Sequence, residues 1–353
     1  MNILHLTPDF NYTDGRSYYV FLLLKYLKKE GHNVCLLTNG GDSADRLEEL
    51  KIPVLIKKQL SDKFSLVKSL KFIKEAALNF NADILHSHHR YYELLANTAA
   101  VSLKRKLRTV FTALSIVDNR YSMEYKSDRI IAVSNSVKSM LVNKFKVDTN
   151  KISLIPNFAD SEEINFSGKI TETKLNSVQN EINILSVGRF HKEKDHITLL
   201  KAMEKLKDKS ISLTIAGEGE GKDSYLEFIN SKSLNVKLVA PQKDLSDLFN
   251  KADICVLSSI RDPFPTFMLQ SGLYRKAFIG TDIDGISELI ISGENGLLFQ
   301  KKNYNELAGR INLFTNNQTL AEKCGNNLFR DVKENYTEKK IIPEIIELYK
   351  TLI

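Results

Sequence analysis

Five polar residues in the second half of the chain have the types and spacing for chemistry on a phosphorylated ligand. Arg189 and Lys194 stand five positions apart in SVGRFHKEKDHITLLKA, which leaves an apolar run and opens a helical pattern. Arginine presents a planar fork of N–H donors and lysine a compact charge, and both suit phosphate oxygens. Fixed cations aimed at a group that gains negative charge lower the barrier to its departure. Asp262 and Gln270 stand eight positions apart in SSIRDPFPTFMLQSGLYRKAFIGTDIDGISE, and Glu288 closes that stretch. It begins as the apolar run ADICVLSS ends and holds a second short apolar run, KAFIG. Ligands of open parallel sheets bind outside the carboxyl ends of the strands. Two such ends are therefore predicted to bring Asp262, Gln270 and Glu288 to one crevice.

The elements that must position these residues alternate. Short apolar runs that read as buried strands are NILHLT, HNVCLLTN, VLIKK, ADILHSHH, RTVFTAL, DRIIAVS and KISLIPNF in the first half. INILSVG, ISLTIAG, VKLVA, ICVLSS and KAFIG follow in the second. Amphipathic segments such as YYVFLLLKYLKKEG and SLVKSLKFIKEAALNF lie between them. This order predicts an α/β chain with parallel sheets covered on both faces. The pattern fails between Ala159 and Asn180, a polar stretch read as a linker. The predicted domains are 1–162 and 163–337. Asp282 to Glu288 reads as a loop, and two helices are expected after it, the last being IIPEIIELYKTLI.

At 353 residues the chain is long enough for two cores. No stretch is apolar for the length a bilayer requires, and MNILHLTPDF lacks the basic start and long apolar region of a signal peptide. Cys35, Cys255 and Cys324 are scattered without metal-ligand spacing, so buried free thiols and a cytoplasmic location are expected. The net charge of +7 is uneven. Residues 1–165 hold 24 Lys and Arg against 18 Asp and Glu, a balance of +6; the remaining 26 against 25 give +1. A basic first half suits an anionic membrane surface or an anionic acceptor as well as ordinary solvation. No basic stripe with interleaved aromatics marks a nucleic-acid binder.

Further candidates are weaker when taken alone. Gly217 and Gly219 lie in IAGEGEG, a glycine turn after a strand that lets backbone N–H groups approach a ligand. Three histidines crowd the end of ADILHSHH; His86 and His88 alternate onto one face. Asp282-Ile283-Asp284 imitates a metal-binding Asp-x-Asp, without a further carboxylate cluster to complete a shell.

The donor stretch resembles the sugar-donor motif of the retaining glycosyltransferases of family 4, which have the GT-B fold. In that family two glutamates stand eight positions apart in EPFG-x-x-x-x-EAM-x-x-G, followed by a loop ending in GG-x-x-E. Here Asp262 takes the first glutamate position and Gln270 the second. Pro265 and Arg275 replace glycines, Asp284-Gly285 replaces the double glycine, and Glu288 is retained. Arg189 and Lys194 match the family's GR-x-x-x-x-K.

This resemblance implies two Rossmann-like doubly wound domains facing each other across a cleft, with residues 338–353 packing back on the first. It implies that Arg189 and Lys194 bind the donor diphosphate and that Asp262 holds the sugar ring. Gln270 would accept from the ribose, more weakly than a glutamate. Glu288, Gly217 and Gly219 would line the donor crevice, and Val239 to Gln242 would hold the base. Gly15 and Arg16, in PDFNYTDGRS, would face the acceptor and diphosphate. His88 would contact the transferred sugar or the acceptor. Leu114 stands where many relatives have a histidine.

The activity so implied is retaining transfer from a nucleotide-sugar donor, UDP-linked ahead of GDP-linked, to a glycan or lipid-linked glycan. Bacterial surface polysaccharide or lipopolysaccharide synthesis is the expected setting. No metal or other cofactor is expected, and peripheral contact with the inner membrane face is compatible with the charge. The substitutions at 262, 265, 270, 275 and 114 also fit a degenerate relative that binds a glycan or a partner subunit. A Rossmann dinucleotide enzyme is disfavoured, since no Gly-x-Gly-x-x-Gly follows the first strand.

Overall fold

A computed structural model describes residues 1–58, 60, 66–103, 106–119, 124–163, 181–206 and 210–353. It divides into two compact units, Met1–Asn157 with Glu338–Ile353, and Phe158–Thr337. Of the expected linker, residues 164–180 lie outside the described residues.

The first unit is built on a seven-stranded parallel sheet. Its strands are β1 (Asn2–Leu6), β2 (Asn33–Thr38), β3 (Val54–Ile56), β4 (Ile84–Ser87), β5 (Arg108–Ala113), β6 (Arg129–Ala132) and β7 (Ile152–Leu154). They lie in the order β3-β2-β1-β4-β5-β6-β7. The second unit has six parallel strands: β8 (Ile182–Val187), β9 (Ile211–Ala216), β10 (Val236–Val239), β11 (Ile254–Leu257), β12 (Ala277–Thr281) and β13 (Leu297–Phe299). Their order is β10-β9-β8-β11-β12-β13. Each sheet reverses its direction of winding once, between β1 and β4 and between β8 and β11, and the loops leaving those strands diverge there. Every residue of β4, β11 and β12 is buried, as helices on both faces require.

Four local differences from the sequence reading have physical causes. Asp284–Leu289 is a one-and-a-half-turn helix, not a loop, because Ile286 and Leu289 bury a common face at helical spacing. Three helices follow, Tyr304–Asn316, Gln318–Asn335 and Glu338–Lys350, where two were expected. Asn317 ends the first and caps the second, its side chain accepting from the Leu320 N–H at 3.0 Å, so the polarity gap between them is one residue. The strand β13 and the helix Asp45–Glu49 are too short to show a period. The segment after Ser134 is helical over Asn135–Ser139 and widens to a π-helix over Met140–Lys144. Ser134 caps it, accepting from Val137 N–H at 3.2 Å. The three cysteines are free and buried. Among the described residues no helix is long and apolar enough to cross a membrane.

The reversal point of the first sheet carries a buried polar network. His5 Nδ1 and His88 Nε2 lie 3.0 Å apart. His86 Nδ1 bonds the Tyr349 hydroxyl at 2.6 Å, and its Nε2 bonds that of Thr112 at 2.7 Å. Tyr349 sits on the helix Glu338–Lys350, so this residue ties the last helix to β4 and β5. All three rings are buried, and burial drives their pKa values down, to about 3 for His5 and well below the usual value for His86 and His88. The unfolded chain, with histidines near 6.5, then takes up protons the folded chain refuses. Stability is therefore complete above about pH 6.5 and falls as pH drops toward the folded values, by about 1.4 kcal/mol per pH unit for each histidine kept neutral. Urea unfolding at about pH 7 and about pH 5.5 should show this loss, and His5→Gln should reduce its slope. Equal midpoints at the two pH values would contradict it.

Candidate functional site

At the reversal point of the second sheet, the loops after β8 and β11 meet. Lys194 Nζ lies 2.6 Å from Asp262 Oδ2, with the carboxylate almost buried and the ammonium about a quarter exposed. The two loops are stitched independently of that pair. Ser258 Oγ donates to the carbonyls of Lys194 and Asp195 at 3.1 and 3.0 Å, and Ile260 N–H donates to Glu193 O at 2.8 Å. Ser259 Oγ donates to Asp262 Oδ2 at 3.1 Å. The carboxylate is thus held by a cation and a hydroxyl, which fixes its rotamer while leaving Oδ1 with acceptor capacity.

A third loop, after β12, completes this set. The Asp262 backbone N–H donates to Asp284 Oδ2 at 3.1 Å, and Gly285 N–H returns a bond to Asp262 O at 3.3 Å. Asp284 adopts a left-handed φ of 41°, a strained conformation for a residue with a Cβ. Burial first, and then the charge of Asp262, raises the pKa of its carboxyl. Asp282 is exposed and accepts from Gln300 at 3.2 Å, so the two carboxylates of the Asp-x-Asp sequence have different partners.

The other candidates of this unit are placed as follows. Arg189 is exposed in the turn after β8, and no ion pair engages it among the described residues. Gln270 lies in the helix Thr266–Leu273, 7% exposed, and its amide donates to Glu163 Oε2 at 3.3 Å. Glu288 is exposed on the helix Asp284–Leu289, close enough to Tyr336 to raise that phenol's pKa after burial and Asp331. Val239 ends β10, and its carbonyl accepts from Gly217 N–H at 3.0 Å. The glycine turn has a packing reason beyond ligand access. A Cβ at Gly217 would stand 2.0 Å from the Gly188 carbonyl oxygen, and Gly219, at φ 148°, lies against Phe190. These glycines let the loop after β9 close on the loop that carries Arg189 and Lys194.

In the first unit, Gly15 opens the helix Gly15–Lys29, is exposed, and has no steric need to be glycine. Arg16 is paired with Asp9 at 2.9 Å and Asp14 at 2.8 Å. His88 is 2% exposed, with His5 on Nε2 and, among the described residues, no partner for Nδ1. Arg16 is near enough to add to the causes that lower its pKa, after burial, His86 and His5. Ring nitrogens of His5, His86 and His88 all lie within 4.8 Å, yet both nitrogens of His86 are already hydrogen-bonded. Leu114 follows β5 and is half-buried. Sequence reasoning missed Glu163, which accepts from Gln270, Ser258, which ties the two loops together, and Ser259, which holds the Asp262 carboxylate. The serine pair directly after an apolar strand was the available signal; Glu163 gave none.

The loop carrying Asp262 depends on one close approach. A Cβ at Gly285 would lie 1.8 Å from the Pro263 carbonyl oxygen, which is backbone and cannot give way. Gly285→Ala should therefore destabilise the protein by about 2 kcal/mol or more and weaken ligand binding at Asp262 in any folded fraction. Denaturant unfolding read beside ligand titration checks this, and a variant with the parent midpoint would refute it.

Two family descriptions match this chain, one on each half. Glycosyltransferase Family 4 matches residues 13–163, and Glycosyl transferases group 1 matches residues 169–331. An uncharacterized glycosyltransferase of Methanocaldococcus jannaschii is 27% identical over 240 residues, 65% of this chain and 62% of its own length. The chain thus spans less than two thirds of that relative. A capsular polysaccharide biosynthesis glycosyltransferase of Staphylococcus aureus is 21% identical over 94% of this chain and 93% of its own. An N,N'-diacetylbacillosaminyl-diphospho-undecaprenol alpha-1,3-N-acetylgalactosaminyltransferase of Campylobacter jejuni is 22% identical over 96% and 97%. Among solved structures, a glycosyltransferase from Rickettsia africae superposes with a TM-score of 0.85 at 23% identity, over 99% of this chain and 98% of its own. Anabaena HepE in complex with UDP and glucose gives 0.82 at 17% identity, over 99% of each chain. The two matches meet end to end and the two-sheet plan is that of solved glycosyltransferases: the chain belongs to glycosyltransferase family 4 and has the GT-B fold.

Proposed function

We propose that this glycosyltransferase moves a sugar, with retention of anomeric configuration, from a UDP-sugar to a glycan or lipid-linked glycan acceptor of a bacterial surface polysaccharide or lipopolysaccharide. The observation that carries this reading is the Lys194–Asp262 contact at the reversal point of the second sheet, where ligands of such sheets bind. The name of the Campylobacter relative, with its diphospho-undecaprenol acceptor, supports the lipid-linked choice. HepE bound to UDP and glucose supports the donor.

In this mechanism the bond between the anomeric carbon and the diphosphate oxygen breaks as the acceptor oxygen bonds the same face of the sugar. Lys194 and Arg189 receive the charge that builds on the departing diphosphate. Lys194 must exchange part of its contact with Asp262 for a phosphate oxygen, and Asp262 in turn accepts from sugar hydroxyls. The acceptor hydroxyl loses its proton to the leaving phosphate, so no protein nucleophile and no metal ion take part. Arg16, His88 and Gly15 belong to the acceptor side, and Glu288, Gly217, Gly219 and Val239 to the donor side. The basic first half favours an anionic lipid-linked acceptor at a membrane surface.

Lys194→Ala and Asp262→Ala should each lower transfer by a hundredfold or more while circular dichroism stays unchanged. A panel of UDP- and GDP-sugars, assayed for donor hydrolysis and for transfer, identifies the donor. Parent-level transfer by both variants would remove the assignment.

A further inference from the structure

We infer that the end of β3 and the first turns of the helix Leu66–Asn79 form a docking surface for an anionic lipid bilayer. This rests on the reading above that the acceptor is lipid-linked, and it names the surface that brings the enzyme to that acceptor. The charge of the chain is concentrated here. Residues 51–79 hold 7 Lys against 2 acids, Asp62 and Glu75, a balance of +5 in a chain whose net charge is +7. β3 is an edge strand, and the residues that end and follow it, Ile56, Lys57 and Lys58, are all exposed, Ile56 to 53%. Lys57 Nζ lies 5.3 Å from the centre of the Phe72 ring, which ties the end of the strand to the helix. The helix buries Ser69, Ile73, Ala76 and Ala77 and turns the opposite stripe outward. On that stripe Val67 is 79% exposed, and Lys71 and Lys74 follow at helical spacing. Lys68 is exposed beside them.

The surface lies at the edge of the first unit where the acceptor-side residues are. β3 and β4 belong to one parallel sheet, so the helix between them runs back along it and begins at the carboxyl edge. Arg16 and His88 follow β1 and β4 and stand at the same edge. A bilayer is the occupant whose chemistry matches. Anionic headgroups complement the lysines, whose stems lie along apolar surface while the ammonium reaches a phosphate. Ile56 and Val67 are aliphatic and can enter the headgroup boundary. A single-stranded nucleic acid calls for exposed stacking rings, whereas Phe72 is half-buried against Lys57. A second copy in symmetric contact would set the same lysines face to face. The first turn of the helix also holds Lys68 and no acid, against the sign its dipole prefers, and an anionic surface relieves that.

The test is cosedimentation of the full chain with phosphatidylcholine vesicles, alone and with about a third phosphatidylglycerol. The parent should bind the anionic vesicles in preference to the neutral ones, less as salt rises. Lys68→Ala combined with Lys71→Ala should weaken this binding about tenfold or more. Lys222→Ala combined with Lys251→Ala removes the same charge from exposed positions of the second unit and should bind as the parent does. Val67→Ser should weaken vesicle binding severalfold and leave binding to heparin, a soluble polyanion, unchanged. All these positions are exposed, so circular dichroism and donor hydrolysis without vesicles should stay at the parent level. Equal binding to both vesicle types, parent-level binding by the Lys68 and Lys71 variant, or an equal loss on changing Lys222 and Lys251 overturns this inference and leaves the transfer reading standing. Undiminished vesicle binding by Val67→Ser makes this a polyanion site and overturns it as well. So does a parent dimer in vesicle-free solution that Lys68→Ala with Lys71→Ala dissociates. A parent that binds vesicles in the expected pattern but transfers no sugar overturns the transfer reading and leaves the surface standing.

Discussion

Everything at the candidate site follows from one constraint, the single reversal of winding in each sheet. Where β8 and β11 lie side by side, the helices after them leave on opposite faces, and the loops between strand and helix spread apart. Polar side chains at those strand ends cannot be covered by a crossing helix. Lys194 and Asp262 occupy that spot, in contact with each other. The pair is mostly buried, so the cost of desolvating both charges offsets much of their Coulomb attraction. The serines at 258 and 259 and the close approach at Gly285 hold the loops instead, which leaves the charged groups free to change partners.

The alternation of strands and helices was legible because most strands are short and largely apolar, while most of the helices between them carry a polar face. The pairing of Lys194 with Asp262 was legible only as co-location at strand ends, since 68 positions separate them. Other features were not legible. Asp284 reads as a degraded glycine, yet its carboxylate accepts the backbone N–H of Asp262, a contact between loops that no local period encodes. The glycines at 217 and 219 read as ligand contacts, and their tightest neighbours are the backbone of the adjacent loop. His88 reads as a group facing a ligand, but a histidine on β1 engages it in the interior. Sequence spacing cannot show that His5 is adjacent, because strand order decides it.

The two units treat their reversal points differently. In the second, opposite charges meet near solvent. In the first, three neutral rings, two tyrosines and a threonine share the buried interior, with Arg16 paired to two aspartates nearby.

The backbone of the second unit begins at Phe158 and finishes at Thr337, and Ala159 forms a bridge with Thr337 itself. Its two ends are therefore neighbours. A segment with adjoining ends can be lifted out of a gene, or exchanged for that of another family member, by two cuts that fall at one point in space. The second unit can in this way pass between such enzymes as a cassette, with the first unit and its closing helix left untouched.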